Sequence, residues 1–119
     1  MKKSIPNLII VLAALAAFPL TPTAKPERIK PGIPYYSDKY ETIDGRYELG
    51  EEKNLEEVYK NYNYYEAVYD KKGRVVIFNA FKKGMIEFSE VYYYDGGTRP
   101  VKKEVTNSAG KKRVINLSP

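Results

Sequence analysis

The sequence predicts a mainly β domain, a single antiparallel meander of about five to seven strands with one short helix. Three observations predict it. From residue 64 onward, glycines recur at 73, 84, 97 and 110, each inside a polar cluster (DKKG, KKG, DGG and NSAG). Between these clusters lie β-rich runs: YYEAVYD, RVVIFNAF, MIEFSEVYYYD, RPVKKEVT and KRVINL. Upstream, Asp44-Gly45 separates two further aromatic runs. Evenly spaced short strands with glycine turns read as a meander. An Asp-Gly pair is a strong short-range hairpin signal, because tight hairpin turns need positive φ at their central residues.

In chain order, residues 1–24 read as an export signal. Lys2 and Lys3 give a positive start, and Leu8 to Leu20 is a run of 13 residues that is apolar except for Pro19. A membrane span needs roughly 20 apolar residues, whereas about 7–15 suit the core of a signal peptide. Cleavage is expected after Ala24; the alternative is an N-terminal anchor that stays in place. Residues 25–37 read as a linker rich in proline (Pro26, Pro31, Pro34), semi-extended because each proline fixes φ and removes a donor. The β domain is expected over 38–119.

Strands are expected near 39–43 and 46–49, joined at Asp44 and Gly45. The next segment, EEKNLEEVYKNY, changes period. Leu55, Val58, Tyr59 and Tyr62 fall at i, i+3, i+4 and i+7, the stripe of one helix face. Asn54 and Glu57 have capping-box spacing. The spacing predicts a helix over 55–62, with a strand as the competing reading, because Tyr62-Asn-Tyr-Tyr65 is poor helix material. Turns are expected at Asp70/Gly73, Gly84, Asp95/Gly97 and Gly110. Alternate turns of a meander share one end, so Gly73 and Gly97 are expected together, and Gly84 and Gly110 at the other end. Along RVVIFNAFK, simple alternation puts Val75, Ile77 and Phe81 on one face and Val76, Phe78 and Ala80 on the other. Both faces are then apolar, which predicts a central strand covered on both sides, with the helix as one cover. The run at 100–106 reads as an edge or half-exposed strand, its lysines discouraging unwanted pairing.

The composition excludes several chemistries. There is no histidine, cysteine or tryptophan. This removes an imidazole base, a thiol nucleophile and the usual soft metal ligands. No P-loop, dinucleotide glycine pattern or calcium loop is present. No cofactor and no catalytic residue is expected. Glu87 and Glu90 give a carboxylate pair on paper, which keeps a carbohydrate-active enzyme as a remote alternative.

Charge is uneven. Residues 41–70 hold nine acids and three bases; residues 71–113 hold eleven bases and four acids. Tyrosine is abundant, with 12 in the chain. The candidate binding surface is Tyr92, Tyr93 and Tyr94 beside Arg99, Lys102 and Lys103: exposed rings beside basic groups suit stacking on sugars or gripping a peptide, and tyrosine is favoured in protein interfaces. The expected partner is a protein or a second copy of the chain, or else an anionic polymer or envelope surface. Nucleic acid is not expected for an exported protein, and no membrane span is expected after cleavage.

VYDKKGRV (68–75) and VYYYDGGTRP (91–100) each place Tyr-Asp ahead of glycine and a basic residue. On Tyr69, Asp70, Gly73 and Tyr94, Asp95, Gly97, residues 64–117 resemble the tyrosine-aspartate and variant MORN-type hairpin repeats of exported bacterial proteins. The resemblance implies scaffolding, binding or toxin neutralisation, with no shared catalytic residue. The function expected is therefore that of a non-catalytic exported binding or assembly module, periplasmic or extracellular. The alternative is an inhibitor of another exported protein acting through a tyrosine-rich face.

Overall fold

A computed structural model describes residues 29–118. The expected signal peptide lies outside the described residues. Eight strands and one helical turn are arranged in order: β1 (Tyr35–Ser37), β2 (Tyr40–Ile43), β3 (Arg46–Leu49), α1 (Leu55–Val58), β4 (Asn63–Tyr69), β5 (Val75–Lys82), β6 (Met85–Tyr94), β7 (Pro100–Asn107) and β8 (Lys112–Asn116). The fold is mainly β and antiparallel. Strands β4 to β8 are the meander, β1 adds antiparallel to β4, and the six-stranded order is β1-β4-β5-β6-β7-β8. Strands β2 and β3 form a separate two-stranded sheet.

The sheet begins inside the segment expected to be a linker. Tyr35, Tyr36 and Ser37 pair with Ala67, Glu66 and Tyr65. Just ahead of them, the Gly32 N–H bonds the Tyr69 carbonyl at 3.1 Å. Strand β7 is half-exposed, as expected, but it is not an edge, since β6 and β8 flank it; β8 takes that place.

The β2–β3 hairpin turns on Asp44 (φ 48°) and Gly45 (φ 82°), as its sequence predicts. It does not join the meander but lies over one face of it. Tyr47 stacks on Phe78 at 5.1 Å and meets Phe88 at 5.4 Å, and the Tyr47 N–H bonds the Tyr92 hydroxyl at 2.9 Å. The core between hairpin and sheet is Leu49 of β3 with Ala67, Tyr69, Val75, Phe78, Ala80 and Tyr92 of the sheet. The cover of the central strand is therefore this hairpin and not the helix. Helix α1 spans four residues, not eight. The Glu57 carboxylate does accept the Asn54 N–H at 2.9 Å. Only Val58 of the helical stripe is buried, while Leu55, Tyr59 and Tyr62 are exposed. The helix packs against β1, and the opposite sheet face stays largely open.

Side-chain facing along β5 departs from simple alternation. Val68 pairs with Ile77 and Tyr69 with Val75, so Val76 is a bulge. The extra residue rotates Val75 onto the covered face beside Phe78 and Ala80, leaving Ile77 and Phe81 on the open one. A second bulge falls at Glu87 and a third at Val101.

The two Tyr-Asp turns do share one end. The Arg74 guanidinium donates to the Gly97 carbonyl at 2.9 Å and lies 4.6 Å over the Tyr94 ring. Each tyrosine pairs with the residue six positions on (Tyr69 with Val75, Tyr94 with Pro100), and each hairpin then bulges by one residue. The turns themselves differ. Asp70 Oδ1 accepts the N–H groups of Lys72 and Arg74, both at 2.9 Å, and Oδ2 accepts Arg74 Nε at 2.8 Å. Asp95 is exposed and has no such set among the described residues, and the positive φ falls at Gly96 instead of Gly97. The true counterpart of the Asp70 turn is at the other end of the sheet. Asn107 Oδ1 accepts Ala109 N–H at 2.9 Å and Lys111 N–H at 3.0 Å, and Gly110 N–H bonds the Asn107 carbonyl, as Gly73 does with Asp70. An Asx side chain bonding its own turn, with glycine in the left-handed region, is the shared device.

Candidate binding surfaces

The six residues expected to form one tyrosine-rich basic surface are divided between two faces. Alternation along β6 points Tyr92 and Tyr94 toward the hairpin and Tyr93 toward the open face. Tyr92 is buried; its hydroxyl donates to Glu90 Oε1 at 2.7 Å. Lys103 donates to the same oxygen at 3.1 Å. This network of Tyr47, Tyr92, Glu90 and Lys103 fixes the hairpin to the sheet. Tyr94 is half-buried and donates to the Val75 carbonyl at 2.6 Å. On the open face only Tyr93 and Lys102 of the expected set meet, with Lys102 Nζ 4.5 Å from the ring centre. Arg99 is exposed in the β6–β7 turn. The carboxylates of Glu87 and Glu90 have separate partners. Glu90 is held by Lys103 and Tyr92, and Glu87 lies 4.0 Å from Lys82.

The buried tyrosines resist ionisation. Burial first, then the hydrogen bond to Glu66, pushes Tyr36 up to about 12. Burial also pushes Tyr94 up to about 12 against the opposing pull of Arg46. Tyr69 and Tyr92 are raised further, by burial above all. A group whose pKa is raised on folding contributes stability that is complete below its unfolded value and is lost as pH rises through the folded value. The unfolded value for tyrosine is about 10. Stability is therefore expected to hold up to about pH 10 and to fall steeply between about 10 and 12. Tyrosinate absorbance at alkaline pH should rise in step with the loss of near-ultraviolet circular dichroism. Full ionisation with the spectrum of tertiary structure intact would overturn this expectation.

Two arrangements carry no motif in the sequence. The first is a polar row across the open face. Residues Tyr36, Glu66, Asn79 and Ser89 occupy successive in-register positions on β1, β4, β5 and β6. Tyr36 Oη donates to Glu66 Oε2 (2.9 Å), Asn79 Nδ2 to Glu66 Oε1 (2.7 Å) and Ser89 Oγ to Asn79 Oδ1 (2.6 Å). The available signal was partial: Glu66 and Asn79 each interrupt an apolar run, but Ser89 is one of three polar residues in its own.

The second is an aromatic cleft at the rim of the hairpin. It holds about 90 Å³ and is lined by Tyr40, Tyr47, Tyr65, Phe78, Phe88 and Glu87. Tyr65 and Phe88 stand on either side of Ala80 in one cross-strand row. Their backbones are thus two strand spacings, about 9.5 Å, apart. The half-exposed Tyr40 meets Tyr65 at 4.9 Å and Tyr47 at 5.4 Å, both edge-on. The Glu87 bulge brings that carboxylate to the same side as Phe88, where plain alternation would oppose them. No sequence pattern marks this group, because its rings come from separate strands.

No protein-family model, curated protein or solved structure matches the chain. Function therefore rests on these surfaces alone.

The sheet's two edges differ in charge. The segment beside β1, tied to it by the Tyr36–Lys53 bridge, carries Glu51, Glu52, Glu56 and Glu57. At the far edge, β8 and its leading turn carry Lys111, Lys112 and Arg113, all exposed. The outer side of β8 has no strand partner among the described residues, and Val114, in the open-face row of Ile77, Val91 and Glu104, is exposed.

Proposed function

We propose that the protein is a non-catalytic exported assembly module, acting in the periplasm or outside the cell, that associates through the edges of its six-stranded sheet. The observation that carries this reading is the charge opposition between the acidic β1 edge and the basic, unpaired β8 edge. An open edge strand offers a row of backbone donors and acceptors to another chain. Opposite charge on the two edges favours head-to-tail contact between copies, which closes into a ring or continues as a filament. Lys112 and Arg113 of β8 discourage pairing with a like-charged edge and permit it with an acidic one. Absence of histidine and cysteine, with the separate pairing of Glu87 and Glu90, supports a role without catalysis.

Light scattering and sedimentation velocity test the reading. At about 50 mM salt the apparent mass should rise with protein concentration, and at about 500 mM, where the Debye length falls below about 5 Å, it should return to the monomer value. Changing Lys112 and Arg113 together to glutamate should abolish the low-salt association. A monomer at high concentration, indifferent to salt, would remove the reading. A second reading, a neutraliser of another exported protein, rests on the exposed Tyr93 and its Lys102 neighbour.

A further inference from the structure

The aromatic cleft is separate from both sheet edges and serves no part of the assembly reading. Five rings and one carboxylate converge on it. We propose that this cleft is a binding site for a compact quaternary ammonium group of the trimethylammonium class, held by the rings of Tyr40, Tyr47, Tyr65 and Phe88 and by the charge of Glu87.

The chemistry of the lining matches that of such a cation. Aromatic faces carry partial negative charge and attract cations within about 6 Å, most strongly where water is excluded. Phe78 is fully buried at the back of the cleft, and Tyr47, Tyr65 and Phe88 are partly buried walls, while Tyr40 and Glu87 are exposed at the mouth. A volume of about 90 Å³ accommodates a few heavy atoms, liquid water occupying about 30 Å³ per molecule. A primary ammonium suits the cleft poorly. It is strongly hydrated and has three N–H donors to satisfy, whereas five of the six lining residues present aromatic rings and Glu87 is the one charged group. A quaternary ammonium has no N–H to satisfy and presents methyl groups to the rings. Glu87 supplies the opposite charge. Its ion-pair contact with Lys82 is at 4.0 Å between exposed groups and competes weakly. Burial, followed by Tyr40 and Glu87, raises the Tyr65 hydroxyl, consistent with a negative field inside the cleft.

The test is a titration of the full chain with choline, followed by two-dimensional amide NMR and tyrosine fluorescence. The control is 3,3-dimethylbutan-1-ol, the uncharged isostere. Choline should give saturable shifts centred on Tyr40, Tyr47, Tyr65, Glu87 and Phe88, and the isostere should bind at least about tenfold more weakly. Glu87→Gln should weaken choline binding by about threefold to tenfold, and Tyr40→Ala by about fivefold to thirtyfold. Both positions are exposed, and circular dichroism checks their folding; if Tyr40→Ala unfolds, Glu87→Gln still decides. Three results would each overturn the proposal: no saturable shift up to about 20 mM choline, well beyond a millimolar Kd; equal binding of the isostere; or unchanged binding by both folded variants. Sedimentation with phosphatidylcholine vesicles, competed by free choline, separates the sources. Choline-sensitive capture assigns a lipid headgroup, and choline binding without capture assigns a soluble ligand.

Discussion

Phe78→Ala is expected to lower stability by about 3–5 kcal/mol, enough to leave a domain of this size partly unfolded at 25 °C. Phe78 is fully buried at the centre of β5. Tyr47 stacks on it at 5.1 Å, Tyr65 lies at 5.8 Å and Phe88 at 6.5 Å. Removing the ring takes away apolar burial and leaves a cavity that these larger neighbours cannot fill without moving. It also removes the platform on which the β2–β3 hairpin rests. Phe78→Leu should cost less, roughly 1–2 kcal/mol, because most of the volume is retained. Urea unfolding with amide hydrogen exchange checks both effects. The hairpin amides of residues 40–49 should lose protection first in the alanine variant. A loss below about 1 kcal/mol, or unchanged hairpin protection, would show that the hairpin is not held through Phe78.

Lys103→Met is expected to destabilise by about 3 kcal/mol, because it breaks a buried ion pair by removing one partner. The Glu90 and Lys103 side chains are 7% and 17% exposed, and their contact is 3.1 Å. The Tyr92 hydroxyl continues to donate to Glu90, which keeps the cost at the lower end of the range for a broken buried pair. Changing Glu90 to Gln in the same chain should recover part of the loss. The coupling in the double-mutant cycle should exceed about 1 kcal/mol, as for residues sharing one network. Raising salt should not reproduce the effect, since buried pairs are only weakly screened. Additive costs for the two substitutions would show that the pair does not act as a unit.

Both predictions depend on an arrangement only partly legible in the sequence. The strands after residue 63 were readable, because glycine turns and β-rich runs are local signals. The Asp44-Gly45 turn was readable for the same reason, since the left-handed backbone there is a property of two residues. The equivalence of the Asp70 and Asn107 turns was less visible. Aspartate and asparagine differ in charge but offer the same oxygen to the backbone, and the geometry depends on that oxygen. Helix α1 illustrates the opposite error. Its apolar stripe is real, but a stripe becomes a helix face only if something packs on it, and here Val58 alone is covered.

The candidate surface shows why consecutive tyrosines mislead. In a strand, Tyr92, Tyr93 and Tyr94 must alternate, and the hairpin makes one side a core and leaves the other open. Which side is covered depends on where β2 and β3 dock, and that contact is between residues about 45 positions apart, as in Tyr47 and Tyr92.

Local chemistry along the chain was enough for the β class, the turns and the absence of histidine and cysteine. Backbone dihedral preference, side-chain period and residue inventory are all properties of near neighbours. The docking of the hairpin, the sense of each bulge, the Glu90–Lys103 pair and the aromatic cleft came only with the folded chain. They depend on which faces exclude water together, and one inserted residue at Val76 or Glu87 reverses the facing of the rest of its strand.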